Sequence, residues 1–257
     1  MTARPSAPEA PRPADAGDAT QAETLVAAMA RELHDGDVVA TGVASPLAIL
    51  AIAVARLTHA PRLTYLACVG SIDPEVRTLS TCSEDLAYFH GRSGELTIPE
   101  LFDHARRGRV DVMFFGAAEI DGRGDTNLTA AGSLEAPKYK FPGVAGAATL
   151  RRWVQRPVLT VGRQGRRNLV PRVAVASTSD PDRSTPLLTD LGRFALGARG
   201  ARLVARHPWA DPQVIAARTG FDFEIPDPLL VTATPSADHL AAIRSLDPES
   251  LRERWVG

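Results

Sequence analysis

Residues 47–58, LAILAIAVARLT, leave a helix almost no polar face. Only Arg56 and Thr58 carry polar groups, so most of the helix circumference must be covered by the rest of the chain. Ser45-Pro46 just upstream offers an N-cap and a proline at the first helical position. The apolar stretch 44–57 is too short to span a bilayer and is interrupted by Arg56, so no membrane association is expected. Short apolar runs flank it, DVVATGV at 37–43 and LTYLA at 63–67. Strand, buried helix and strand joined by short links make a parallel α/β unit. The fold class expected is α/β, an open and mostly parallel sheet flanked by helices.

The remaining pattern extends this unit. Residues 21–34 carry apolar side chains at helical spacing and end before Gly36. TIPE at 97–100 is a capping box for a helix over 98–107. VDVMFFG at 110–116 is the strongest buried strand, and DGRG at 121–124 is a turn. Residues 138–150 read as a glycine-broken loop running into a helix. Strands are expected at 157–161 and 201–205, helices at 212–219 and 236–244, an extended piece at 221–225, and a terminal helix from Asp247. Between 73 and 94 the pattern weakens to a loop with a short helix or two. No repeat and no linker divides residues 21–257, which are expected to form one domain. Residues 1–20, rich in Pro, Ala and charge without an apolar core, read as a disordered tail rather than a signal peptide.

Charge and cysteine content narrow the function classes. With 29 basic and 30 acidic residues, no basic excess points to nucleic acid or an anionic membrane surface. Two cysteines, Cys68 and Cys82, make neither a disulfide framework nor a metal cluster, and a reducing cytoplasm is the simple expectation. The six histidines show no metal-ligand spacing, so no metal is expected.

Three stretches can carry chemistry. PGVAGAA at 142–148 clears side chains from a backbone segment entering a helix. The amides of Gly143, Val144, Ala145, Gly146 and Ala147 are then candidates to face an anion or a carbonyl oxygen, or simply to make a tight turn. Lys138 and Lys140, the only lysines, lie just upstream and suit a ligand that carries phosphates. In FFGAAEIDGRGDTN at 114–127, a strand ends at Gly116 and a polar loop follows its carboxyl end, where open α/β sheets bind ligands. Glu119, Asp121 and Asn127 are candidate polar groups there, although the Asp-Gly pairs are also turn chemistry. Third, the strand 62–67 stops at Cys68, two residues before Gly70. A cysteine in that place is either an inert small hydrophobe or a nucleophile needing a partner that lowers its pKa.

Taken in order, several segments resemble the β-subunit of family I coenzyme A transferases, and also the small subunit of the ring-opening CoA-thioester hydrolases of actinobacterial steroid degradation. The segments are LTHAPRL (57–63), FGAAEIDG (115–122), GDTN (124–127), FPGVAGA (141–147), TDLGRF (189–194), HPWADPQV (207–214), TGF (219–221) and DPESL (247–251). The resemblance covers roughly residues 22–256.

It implies a CoA-transferase fold and a separate α-subunit, as an α2β2 heterotetramer with the site at the subunit interface. It implies a CoA thioester as substrate and no permanently bound cofactor. It places the glycine loop 143–147 against the thioester, with Gly70, Gly116, Glu119 and Asn127 as pocket candidates. The family's nucleophilic glutamate falls at Cys68. A thiol can accept an acyl group but cannot form the acyl-like thioester with CoA that a glutamate forms. CoA transfer by the usual route is therefore disfavoured. Hydrolysis or ring opening of an acyl-CoA stands beside it, and the alternative is a non-catalytic subunit that completes the α-subunit's CoA pocket. Residues 78–94 are a candidate for shaping the acyl pocket.

Overall fold

The computed structural model describes residues 19–180 and 182–257. The tail expected over residues 1–20 falls outside them except for its end, where Thr20 instead caps the first helix. Its hydroxyl accepts from the Glu23 amide at 3.1 Å, and Glu23 Oε2 accepts from the Thr20 amide at 2.9 Å.

The elements in order are α1 (Gln21–Ala30), β1 (Val38–Ala40), α2 (Pro46–Thr58), β2 (Thr64–Ala67), β3 (Ser71–Ile72), β4 (Gly94–Glu95), α3 (Ile98–Arg106), β5 (Val112–Gly116), β6 (Glu119–Ile120), β7 (Thr126–Asn127), β8 (Ala130–Gly132), β9 (Pro137–Lys140), α4 (Ala147–Trp153), β10 (Arg156–Val161), β11 (Thr185–Thr189), β12 (Gly192–Leu196), β13 (Ala201–Arg206), α5 (Pro212–Arg218), β14 (Phe223–Glu224), β15 (Leu230–Val231) and α6 (Ala237–Leu246). The main sheet runs β14-β13-β12-β11-β10-β5-β1-β2-β3-β4. Its centre, β11-β10-β5-β1-β2, is parallel throughout, and antiparallel pairs extend both sides. No helix of the described residues is long and apolar enough to cross a membrane.

Period-2 alternation on the central strands feeds two cores. Val39, Val112, Phe114 and Val158 face α1, α2 and α6, while Ala40, Met113, Phe115 and Leu159 face α3, α4 and α5. Because both faces are covered, these strands read as continuous apolar runs. Helix α2 is buried from Ala48 through Ala55, and Leu57 emerges at its end. At its start Ser45 occupies the cap position, but its hydroxyl donates to the Val43 carbonyl at 3.1 Å and caps no amide. The Thr97–Glu100 capping box of α3 forms as expected.

Two expectations are corrected, and one hairpin carried no expectation at all. Residues 138–140, read as the start of a loop, belong to β9 (Pro137–Lys140), which pairs with β8; PKYK is exposed throughout, so it carries no alternation that could reveal a strand. The hairpin β11–β12 shows no usable pattern either, since Pro186 sits inside β11 and argues against a strand. The helix expected from Asp247 begins later, as a 3-10 helix at Leu251–Trp255. Asp247 serves instead as its anchor, accepting from the Leu251 and Arg252 amides at 2.8 and 3.0 Å.

Candidate active site

Three parallel neighbours end at one edge of the sheet. β1 runs into Thr41–Ser45, β2 into Cys68, and β5 stops at Gly116. The chain leaves β1 for β2 on one side and returns to β5 on the other. Such a reversal of strand order opens a crevice at the carboxyl ends, the usual ligand position in open α/β sheets. A cavity of about 160 Å³ lies there, walled by Val43, Cys68, Phe102, Gly116, Val144 and Ala145 among others. Its surface is mostly apolar, with Thr41, Ser45 and Cys68 as the polar side chains. Larger clefts among the described residues, of about 480 Å³ beside Arg56 and Asp73 and about 690 Å³ along β13, do not touch a strand end of this group.

Cys68 is half-buried. Its Sγ lies 3.7 Å from the Ser83 carbonyl oxygen and 3.8 Å from Glu84 Oε1, both as acceptors. Burial, and then the negative charge of Glu84, push the thiol up to about 11. The Thr41 hydroxyl acts the other way but is outweighed; it also bonds Tyr65 Oη at 2.9 Å. No histidine is among the partners of Cys68 in the described residues. At neutral pH the strand therefore ends on an uncharged S–H, which is neither a carboxylate nor an activated thiolate.

The glycine loop faces Cys68 across the cavity. Gly143, Ala145 and Gly146 have φ of 99°, 43° and 91°, a left-handed path that glycine adopts most readily. The Gly143 and Ala147 amides bond the Leu128 and Val144 carbonyls. The Val144 and Ala145 amides have no partner among the described residues and remain available to an oxygen. Gly146 has a packing reason as well, since a Cβ there would collide with the Phe102 ring.

The other candidates lie behind this wall. Asn127 is fully buried; it donates to Glu119 Oε2 and to the Ala130 carbonyl, both at 2.7 Å, and accepts from the Thr129 and Ala130 amides. Glu119 also accepts from the Ala174 amide at 2.9 Å. The pair shapes the loop that carries Leu128 and, through it, Gly143. Gly70 turns β2 into β3 at φ 101°. Asp121 is spent on the Arg123 and Asp125 amides, and burial raises its pKa. Lys138 and Lys140 are exposed on β9. Sequence reasoning did not single out Glu84, Thr41, Val43 or Phe102. Glu84 lies within 78–94, the stretch suspected of pocket formation, but no local pattern marks that carboxylate.

This geometry defines an open α/β protein with a ligand crevice at the β1–β5 reversal. The family model for Coenzyme A transferase matches residues 22–208, and the chain belongs to that family. It is 27% identical to the β-subunit of the 3-oxoadipate CoA-transferase of Pseudomonas knackmussii, over 88% of this chain and 92% of that one. It is 26% identical to the cholesterol ring-cleaving hydrolase IpdB subunit of Mycobacterium tuberculosis, over 92% and 98%. Among solved structures, the decarboxylase AibA/AibB superposes with a TM-score of 0.92 at 66% identity, over 93% of this chain and 100% of its counterpart. That complex has also been crystallised with one cysteine replaced by Asn, Ala, Val or Ser.

Proposed function

We propose that this chain is the β-subunit of a two-subunit enzyme that decarboxylates an acyl-CoA, working with an α-subunit of the same family in an α2β2 assembly. The observation that carries this reading is the neutral, half-buried Cys68 at the end of β2, in an apolar cavity. The 66% identity to a decarboxylase supports it, and the cysteine varied in that complex is taken to correspond to Cys68.

The chemistry fits the wall. Loss of CO2 needs no nucleophile; it needs an electron sink and a carboxylate freed from its water. The substrate is then a CoA thioester bearing a second carboxylate, placed so that the electron pair left by CO2 delocalises into the thioester carbonyl. The Val144 and Ala145 amides would stabilise that oxyanion. The apolar walls would replace the hydration shell of the departing carboxylate. A glutamate at position 68 would introduce both a competing nucleophile and a like charge.

The test is co-expression with the α-subunit and incubation with dicarboxylic acyl-CoA thioesters. CO2 release with the thioester intact is expected. Free CoA without an acceptor would make the enzyme a hydrolase. CoA passed to an added carboxylate would make it a transferase. Activity that survives removal of this chain would leave it a non-catalytic partner.

A further inference from the structure

Glu84 stands beside the site thiol, yet nothing in the decarboxylation scheme uses it. Its Oε1 accepts from Cys68 Sγ at 3.8 Å, from Ser83 Oγ at 3.0 Å and from the Ala44 amide at 3.2 Å, while Oε2 accepts from Cys82 Sγ at 3.3 Å. The Ser45 amide donates in turn to Ser83 Oγ at 3.1 Å. One carboxylate thus ties the 82–84 loop to the β1–α2 turn and to the end of β2. The turn it holds is strained, with Ala44 at φ 52°. Burial would raise the Glu84 pKa, but the hydrogen bonds from Cys82, Ser83 and Ala44 outweigh it and keep the group ionised.

We propose that Glu84 is a positioning residue that protects the acyl-CoA from attack by Cys68. A thiol that donates to Glu84 and to the Ser83 carbonyl turns its hydrogen toward the loop. Deprotonation would set a thiolate 3.8 Å from a carboxylate of the same sign. Glu84 is the titratable side chain that acts on Cys68, and the charge of a Cys68 thiolate would in turn fall on Tyr65, which burial keeps protonated. The reaction suppressed is thioester exchange. Cys68 S⁻ would attack the thioester carbonyl, a bond from Sγ to the acyl carbon would form, the bond from that carbon to the CoA sulfur would break, and CoA would leave as a thiolate that takes up the proton Cys68 gave to solvent. The selectivity for CO2 loss over this exchange rests on the decarboxylase reading above.

Peptide-resolved alkylation with iodoacetamide, on the full chain alone and with its α-subunit, reads Cys68 separately from the exposed Cys82. In wild type the Cys68 rate should stay low through pH 9. In Glu84→Gln the midpoint should fall by about one pH unit, a roughly tenfold faster reaction at pH 8, and Glu84→Asp should restore much of the protection. With acyl-CoA, Glu84→Gln complex should accumulate an acyl adduct on Cys68 with one CoA released per adduct. An unchanged alkylation profile overturns the proposal, and so does a lowered midpoint with no adduct. Absence of CO2 release from the wild-type complex would instead overturn the decarboxylase reading, and the alkylation arm would still report on Glu84.

Discussion

The chemistry of this site turns on what one atom at position 68 can be. A carboxylate there could form an anhydride and then a thioester with CoA; a thiol pushed up to about 11 can do neither. Cys68→Glu is therefore the most direct exchange of reactions. Acceptor-dependent CoA transfer should appear in the complex, and CO2 release should fall by roughly a hundredfold or more as a charge enters the apolar cavity. An assay of labelled acceptor into acyl-CoA checks the first, and CO2 trapping the second. Gly146 is the other position where a single group decides. At φ 91°, with Phe102 where a Cβ would go, Gly146→Ala should cost about 1–2 kcal/mol in urea denaturation and push Phe102 toward the cavity.

At the scale of elements, the β11–β12 hairpin is held by buried polar groups whose titrations oppose each other. Asp190 Oδ1 accepts from the Gln164 amide at 2.7 Å, and burial raises its pKa to about 6. His207 bonds the Thr189 carbonyl through Nε2 at 2.9 Å, and burial lowers its pKa to about 4. A raised carboxyl binds its proton more tightly when folded, so Asp190 loses stability for the protein as pH climbs from about 4 to 6. A lowered imidazole binds its proton less tightly when folded. His207 therefore gains stability for the protein as pH climbs from about 4 to 6.5. In wild type the two slopes offset. Asp190→Asn should expose the histidine slope, gaining about 2–3 kcal/mol relative to wild type between pH 4 and 6.5. Thermal melts across that range check it, and parallel curves for the two proteins would refute it.

For the whole molecule, apolar side chains gather on the rim of the crevice. Val43 is 59% exposed and Ile98 52%, and both wall the cavity, while Leu86, two residues beyond Glu84, is 78% exposed. Such a rim is what a site completed by a second subunit would present. Leu86→Arg, outside the cavity, should weaken retention of a tagged α-subunit by tenfold or so while the thermal melt of the isolated chain stays put. Co-purification at wild-type yield would remove Leu86 from that interface.

Much of the frame follows from local pattern. The apolar run 47–58 demands a buried helix, VMFFG at 112–116 demands a strand covered on both faces, and Thr97 with Glu100 starts a helix wherever the chain goes. Those rules depend on spacing alone, and so does the left-handed glycine loop at 143–146. The order of motifs also points to Cys68 as the expected centre of the site, and the structure sets that residue in the wall of the crevice cavity. What spacing cannot report is which distant groups meet. Asn127 and Glu119 looked like ligand contacts because they are polar and follow a strand, but folding spends them on each other and on backbone. Glu84 looked like one more charge in a weakly patterned loop, but folding sets it against a thiol on another element. The central strands, the helices that cover them and a thiol at a strand end are thus legible in the order of residues. That thiol's protonation and surroundings emerge with packing, because burial and the approach of a remote charge depend on groups far apart in the chain.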